Sequence, residues 1–317
     1  MVFSRDIRRR VLADVALLVP VIVWATNFTV VRQAMLTWGG ARYSFLAARF
    51  WLATLALIPF IIWRPQKEAV SWREYVYPGI LVGISLVIAY SSQTAALVYS
   101  TASKTAFITS TSVIIVPVVA ALMLKEIIRP LTVIGVILAF IGLALLCLKN
   151  DYSVSVADGF SLICAVALAA DVLIISRYAG RLNPLRLTAV STFLIALVFT
   201  LASIFYDLPR GMPPMNSQVA FAILFTGLIA TALCFWIQAK AQRFTTATHA
   251  ALIFSLEPAI AAFVGFLWSD ERLTIRAIFG SFLILSGNLI AELGGIMFPV
   301  SHRIESQSND SRKTIVS

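Results

Sequence analysis

Charge is scarce in this sequence. Asp, Glu, Lys and Arg make up 13% of its 317 residues, about half the share of an ordinary soluble domain. Hydrophobic residues make up 60% and the mean hydropathy is +0.90. No aqueous fold can hide that much apolar surface, which excludes a soluble enzyme or binding module. Histidine is rarer still, with only His249 and His302 and no H-E-x-x-H pair. The three cysteines, Cys147, Cys164 and Cys234, are an odd number at wide spacing. They fit neither a disulfide framework nor a zinc site and are assigned to packing. No G-x-x-x-x-G-K-[ST] loop and no loop long enough for a soluble ATPase domain are found, which argues against primary active transport by this chain alone. An intramembrane enzyme would need a nucleophile beside a base, a close carboxylate pair or a metal cluster, and the apolar runs supply none. No cofactor or metal is expected.

What the chain has instead is long apolar runs. A hydrocarbon layer about 30 Å thick needs roughly 20 residues of helix rising about 1.5 Å each. Ten stretches qualify: 14–35, 41–63, 74–97, 101–124, 130–148, 157–178, 185–206, 217–241, 245–268 and 274–297. The breaks are short and polar, as in Arg64-Pro65-Gln66-Lys67-Glu68 and Asp207-Leu208-Pro209-Arg210-Gly211. The basic start Met1 to Arg10 resembles a signal peptide. The run behind it is too long, carries Asn27 and Arg32, and has no small-residue cleavage site, so an uncleaved first span is expected. Residues 299–317 are polar and rich in Ser and Arg, and are predicted to be a disordered cytoplasmic tail. With the N-terminus inside, seventeen Lys and Arg fall on the inner side and seven on the outer, so both termini are expected in the cytoplasm. That bias accounts for most of the net charge of +10, and nucleic-acid binding is not expected.

The chain also repeats itself. Residues 93–142 align without a gap to 238–287 at an offset of 145, with fourteen identities in fifty positions, among them Gln93, Ala102, Ser110, Glu126, Gly135 and Gly142. Unrelated apolar helices share about one position in ten. At an offset of 144 the match extends weakly to the early spans, where Ala13-Asp14 pairs with Ala157-Asp158 and Arg42 with Arg186. The unit is therefore five spans followed by five. An odd number per unit forces opposite orientations, so the expected fold is an all-α membrane protein of ten transmembrane helices in two inverted five-helix repeats, 12–148 and 157–297. Such repeats place substrate near the midplane, and rocking of one against the other gives alternating access.

Several motifs stand in order along both halves. They are Arg49-Phe50, Tyr90-Ser91-Ser92-Gln93 leading to Thr101-Ala102-Ser103, and Pro117 followed by Lys125-Glu126. In the second half come Phe235-Trp236-Ile237-Gln238, Thr246-Ala247-Thr248, Ser255-Leu256-Glu257-Pro258 and Glu271-Arg272-Leu273-Thr274, with Gly280 and Gly287 downstream. By these the chain resembles the drug/metabolite transporter superfamily, and within it the EamA-like ten-helix transporters. The resemblance implies secondary transport of a small metabolite, commonly export of an amino acid or another amphiphile. It also implies a cavity lined by spans 1, 3, 4, 6, 8 and 9, and a bacterial inner membrane. One departure concerns a proline that such proteins often carry thirteen residues before the glutamate of each repeat. Pro258 obeys it, but the first half has Val113 there and Pro117 later. The two halves are expected to bend differently.

Ionisable groups inside a bilayer are costly and mark pathways. Glu257 stands mid-span beside Pro258, whose missing N–H leaves the Phe254 carbonyl without its helical partner. Glu257 can couple a proton, bind a substrate amine, or form a fixed ion pair with Arg49; these readings stay open. Asp171 and its counterpart Asn27 are candidates to line the cavity or to hydrogen-bond between helices, as are Gln93 and Gln238. Trp24, Tyr90 and Trp236 are candidates for apolar walls, against ordinary interfacial placement. Arg49, Pro117 and Pro258 are assigned to an ion pair or helix breaks. Glu126 and Glu271 are expected to pair with nearby basic residues, and the glycines of the closing spans to allow close packing, with homodimerisation through those spans as one use. The expected partners are a small-molecule substrate, protons and the lipid bilayer. A membrane sensor or channel is the competing class, and an intramembrane enzyme the more remote one.

Overall fold

The computed structural model describes residues 2–38, 41–63, 70–99, 102–147, 155–212, 214–268 and 274–297, and every regular element among them is helical. The first half comprises α1 (Val2–Thr37), α2 (Arg42–Trp63), α3 (Trp72–Tyr99), α4 (Ala102–Ser110), α5 (Ser112–Val119) and α6 (Pro130–Cys147). The second comprises α7 (Val156–Ala179), α8 (Pro184–Tyr206), α9 (Ser217–Leu224), α10 (Cys234–Ala241), α11 (Ala247–Phe254), α12 (Glu257–Trp268) and α13 (Ile275–Met297). Eight helical stretches among the described residues are long and apolar enough to cross a membrane. Two shorter apolar helices, Pro130–Leu146 and Ile275–Ala291, accompany them. Phe60, Trp63, Leu122, Phe205 and Phe282 are exposed, a surface that suits lipid and not water. The expected tail 299–317, Glu271 and the side chains of Lys104 and Cys147 lie outside the described residues.

Three of the expected spans are interrupted. The fourth breaks at Thr111, between α4 and α5, and the ninth at Ser255-Leu256, between α11 and α12. At the offset of 145 these are the same place, because Ser110-Thr111 aligns with Ser255-Leu256. Both breaks carry the same local bond. The Thr111 hydroxyl donates to the Ile108 carbonyl at 2.6 Å, and the Ser255 hydroxyl to the Leu252 carbonyl at 2.6 Å. Such a hydroxyl competes for a helical acceptor and bends the ladder. Pro258 reinforces the second break. Pro117 acts elsewhere, just ahead of a π-helical turn at Ala120–Leu124, so the halves do differ there but not in where the main break falls. The eighth span carries the other interruption, a π-helical stretch Phe225–Leu233 between α9 and α10.

Across the two halves α6 packs on α13, α2 on α8, α3 on α7, α1 on α10 and α5 on α11. The α6–α13 crossing is backbone to backbone. A Cβ on Gly142 would fall 2.5 Å from the Gly280 oxygen, and one on Gly287 2.5 Å from the Gly135 oxygen. Small residues let helices in lipid approach this closely and gain dispersion contact. The glycine faces meet within one chain and so are not offered to a second copy. Cys164 and Cys234 are buried free thiols, as packing residues would be.

The largest apolar cluster gathers Leu17 of α1, Val113 and Val116 of α5, Val172 of α7, and Ala250 and Leu252 of α11. It fills the space between the halves from the α4–α5 break to the start of α11. Glu126 lies at its edge. Among the described residues its carboxylate does not pair with a basic side chain as expected; it accepts from the N–H of Ala247 at 2.9 Å and the Thr248 hydroxyl at 2.8 Å.

Candidate functional site

The π-helical stretch organises the centre. A π turn shifts the hydrogen-bond register and leaves backbone acceptors available. The Trp24 indole N–H uses one, donating to the Ala230 carbonyl at 2.8 Å. One residue on, the Thr231 hydroxyl accepts from Arg49 Nε at 2.7 Å. Arg49 is 2% exposed, the bulkiest of the fully buried side chains. Its Nη2 lies 3.4 Å from the Tyr90 hydroxyl, and its guanidinium sits 5.4 Å from the Phe50 ring centroid and 5.2 Å from that of Tyr90. Ring faces and hydroxyls stand in for water around a cation here. Gly227 lets the stretch come this close to α2, since a Cβ there would lie 3.0 Å from the Arg49 carbonyl oxygen.

The acidic groups stand apart from that cation. Asp171 on α7 is buried and accepts from Gln238 Nε2 at 2.9 Å through Oδ2, while its Oδ1 is buried without a hydrogen-bond partner. Its counterpart Asn27 likewise has a buried Oδ1 without a partner. Glu257 opens α12, is half-buried, and forms no hydrogen bond or ion pair with any described residue. Among the described residues no salt bridge joins Arg49 to Glu257. The fixed ion pair held open above is therefore not formed, because Arg49 is satisfied by neutral partners on α3 and the π-helical stretch. The hydroxyl of Tyr90 lies within electrostatic range of Arg49, Asp171 and Glu257 together, which places all four in one neighbourhood.

Aromatic rings wall this region. Trp24 meets Phe235 edge-on at 6.0 Å and Phe254 at 5.5 Å, and Phe50 meets Tyr90 at 5.5 Å. Trp236 is not among them; its ring lies under the Lys240 ammonium at 4.9 Å, on another side of α10. The helical period explains the exchange, because Phe235, Gln238 and Gln242 share one face while Trp236 and Lys240 share another. Gln242 continues the bridge, donating to the Val172 carbonyl at 3.1 Å and to the Ser176 hydroxyl at 3.0 Å. Gln93 is half-buried and makes no such bond. Thr231, Phe254 and Gln242 escaped the sequence reading. The only signal for Thr231 is its place in a π-helical turn, which sequence does not announce. For Phe235 and Gln242 the period from Gln238 was enough.

A cavity of about 10 Å³ lies beside Asp171, Phe235 and Gln238, room for about one water. A roomier one, about 300 Å³, lies at the start of α3 among Arg73, Tyr77, Tyr178 and Arg181 and holds none of the central groups.

The model of the EamA-like transporter family matches residues 11–148 and again 156–292. An uncharacterized transporter of Archaeoglobus fulgidus is 31% identical over 286 residues, covering 90% of this chain and 87% of that one. The uncharacterized transporter YoaV of Bacillus subtilis is 23% identical over 233 residues, 70% of this chain and 75% of its own. A solved crystal structure superposes with a TM-score of 0.74 at 14% identity, over 89% of this chain and 96% of the other, a likeness of fold.

Proposed function

The chain belongs to the EamA-like transporter family, and from that premise we propose that it is a secondary transporter of a small amphiphilic or amino-acid-like solute. It works by alternating access between two inverted five-helix repeats, with both termini in the cytoplasm of a bacterial inner membrane, and it exports. The observation that carries the reading is charge of both signs left without a charge partner at one place inside the membrane. Arg49 is held by hydroxyls and rings, and Glu257 by no hydrogen bond or ion pair among the described residues. Buried charge is costly unless something completes it. A zwitterion completes both, with its apolar part against Trp24, Phe235 and Phe254.

The packing supports the repeat reading. Under the offset of 145, Gly135 maps to Gly280 and Gly142 to Gly287, yet in space Gly135 meets Gly287 and Gly142 meets Gly280. That crossed pairing is what a two-fold axis between the halves produces. The α4–α5 and α11–α12 breaks fall at matched positions, and Glu257 opens the helix that follows the second. Broken helices at repeat interfaces are where such transporters bind substrate. Glu257, the unpaired carboxylate, is the group assigned to proton coupling. Asn27, Gln93, Asp171 and Gln238 are assigned to the substrate path, and Trp24 and Tyr90 to its walls. Trp236 is not retained there, given its place over Lys240.

The test uses purified protein in liposomes, with a mixture of the twenty amino acids and biogenic amines as probe and mass spectrometry as readout. Wild type moves a subset of the mixture across the bilayer faster than empty liposomes do. Flux of none of them, or flux of ions without saturation, would move the assignment to a sensor or a channel.

A further inference from the structure

The start of α11 is gripped by the first half of the chain at two points. Glu126, just beyond the π-helical turn, accepts through Oε1 from the Ala247 N–H at 2.9 Å. Through Oε2 it accepts from the Thr248 hydroxyl at 2.8 Å and, at 3.5 Å, from the Thr248 N–H. The α11 N-cap, Thr246, takes the His249 N–H at 3.2 Å. Between them the two side chains satisfy the amides of the first turn, which no helix can satisfy from within. The carboxylate is also at the favourable end of the helix dipole. At the next residue, Arg10 of α1 places Nη2 2.9 Å from Nε2 of His249.

The backbone is bent out of its way to make the first contact. Lys125 has φ 54, the only positive φ at a non-glycine residue among those described. A left-handed lysine is disfavoured by contact between its Cβ and the carbonyl. Here it ends the π-helical turn, with Glu126 N–H bonding back to the Ala120 carbonyl at 3.2 Å. That turn aims Glu126 across at α11. Strain kept in place at such a point is a pointer to function.

The contact also sits at the closed side of the molecule. Behind it lies the apolar seal of Val113, Val116, Ala250 and Leu252, where α5 packs on α11. The repeat-equivalent packing of α12 on α4 is not made to a comparable extent among the described residues. In the interior the same asymmetry recurs, with Gln238 bound to Asp171 and its counterpart Gln93 making no side-chain hydrogen bond to a described residue.

We propose that Glu126 is a latch: its carboxylate, bound to the first turn of α11, holds the two halves together at this face, and its release opens the path from here to the central site. The proposal rests on the alternating-access reading given above. Glu126 touches no substrate, so it is a positioning residue whose contact exists in one arrangement of the halves and not in the other. Such a contact shifts the balance between arrangements by as much as it is worth in the one that has it.

Two reporter cysteines separate the possibilities, in protein whose Cys147, Cys164 and Cys234 are replaced by serine. Ser176→Cys lies on α7 between the centre and this face, where Gln242 now binds; Gln93→Cys lies on the other side of the centre. Each is labelled in sealed vesicles by a membrane-impermeant maleimide, applied from the face nearer to it. Glu126→Gln raises labelling of Ser176→Cys about five- to tenfold, the size of shift expected when a charge-assisted contact is lost from one state only. Thr248→Val raises it less, and Glu126→Asp stays closer to wild type. Labelling of Gln93→Cys falls in Glu126→Gln as the population moves. If Ser176→Cys labelling does not rise while the variant melts within a few degrees of wild type, the latch is overturned and Glu126 is a helix cap. If it rises while Gln93→Cys labelling is unchanged, the latch stands and alternation falls.

Discussion

Trp24 donates its indole N–H to the Ala230 carbonyl at 2.8 Å, tying α1 to the π-helical stretch that also holds Arg49. The bond is one support of the site's geometry, because Ala230 and Thr231 are neighbours on the same irregular turn. Trp24→Phe removes the donor and keeps an aromatic body against Phe235 and Phe254. The lost bond costs about 1 kcal/mol of stability, with a buried carbonyl left unmet. Transport in liposomes falls more than the small drop in melting temperature explains. Trp24→Leu, which also loses the ring contacts, falls further.

Glu257 makes no hydrogen bond or ion pair among the described residues, so replacing it costs little structure. Glu257→Gln keeps the shape and removes the titration. Wild type transports faster when the pH differs across the liposome membrane, and the variant transports at a rate independent of that difference while eluting as a single folded species. Unchanged pH response in the variant would take the proton away from this residue.

Asp171 is a different case, since Oδ2 already holds Gln238 and only Oδ1 is open. Asp171→Asn can keep the glutamine bond through its carbonyl oxygen but loses the charge and half the acceptors. Apparent affinity, measured by competition among transported amines, weakens about tenfold, which is about 1.4 kcal/mol. Affinity equal to wild type would assign Asp171 to helix packing.

How much of this was legible in the chain follows from which forces leave a periodic mark. Burial in lipid does, and eight helical stretches among the described residues are long and apolar enough to span, with two shorter apolar helices beside them. Local rearrangements of the ladder leave no such mark. The π-helical stretch at Phe225–Leu233 sits in a sequence as apolar as its neighbours, and so Thr231 and the Ala230 carbonyl were invisible. Proline told part of this. The halves were expected to bend differently, and they do at Pro117 and its π-helical turn, while the breaks at Thr111 and at Ser255-Leu256 fall at matched positions. Trp236 was a candidate for an apolar wall beside Gln238, yet helical phase puts Phe235 into the cluster and Trp236 beside Lys240.

The α6–α13 crossing gives the sharpest stability test, because its cause is geometric. A Cβ on Gly142 would sit 2.5 Å from the Gly280 oxygen and 2.8 Å from an Ile284 side-chain carbon, closer than real atoms approach. Gly142→Val must push the helices apart along their whole contact, since both are rigid and the obstacle is backbone. Overpacking of this kind costs about 1–3 kcal/mol, more where nothing can yield. Gly159 offers the control, as nothing lies within 4 Å of its Cβ position, so Gly159→Ala leaves the melting temperature unchanged or raises it slightly. Gly142→Val lowers the detergent melting temperature by several degrees, and Gly280→Val does the same because it meets the Gly142 oxygen from the other side. The double variant tests the pairing itself. If the two glycines face each other, the second substitution adds less than the first, because the helices have already separated. Full additivity would mean that the two positions do not share a contact.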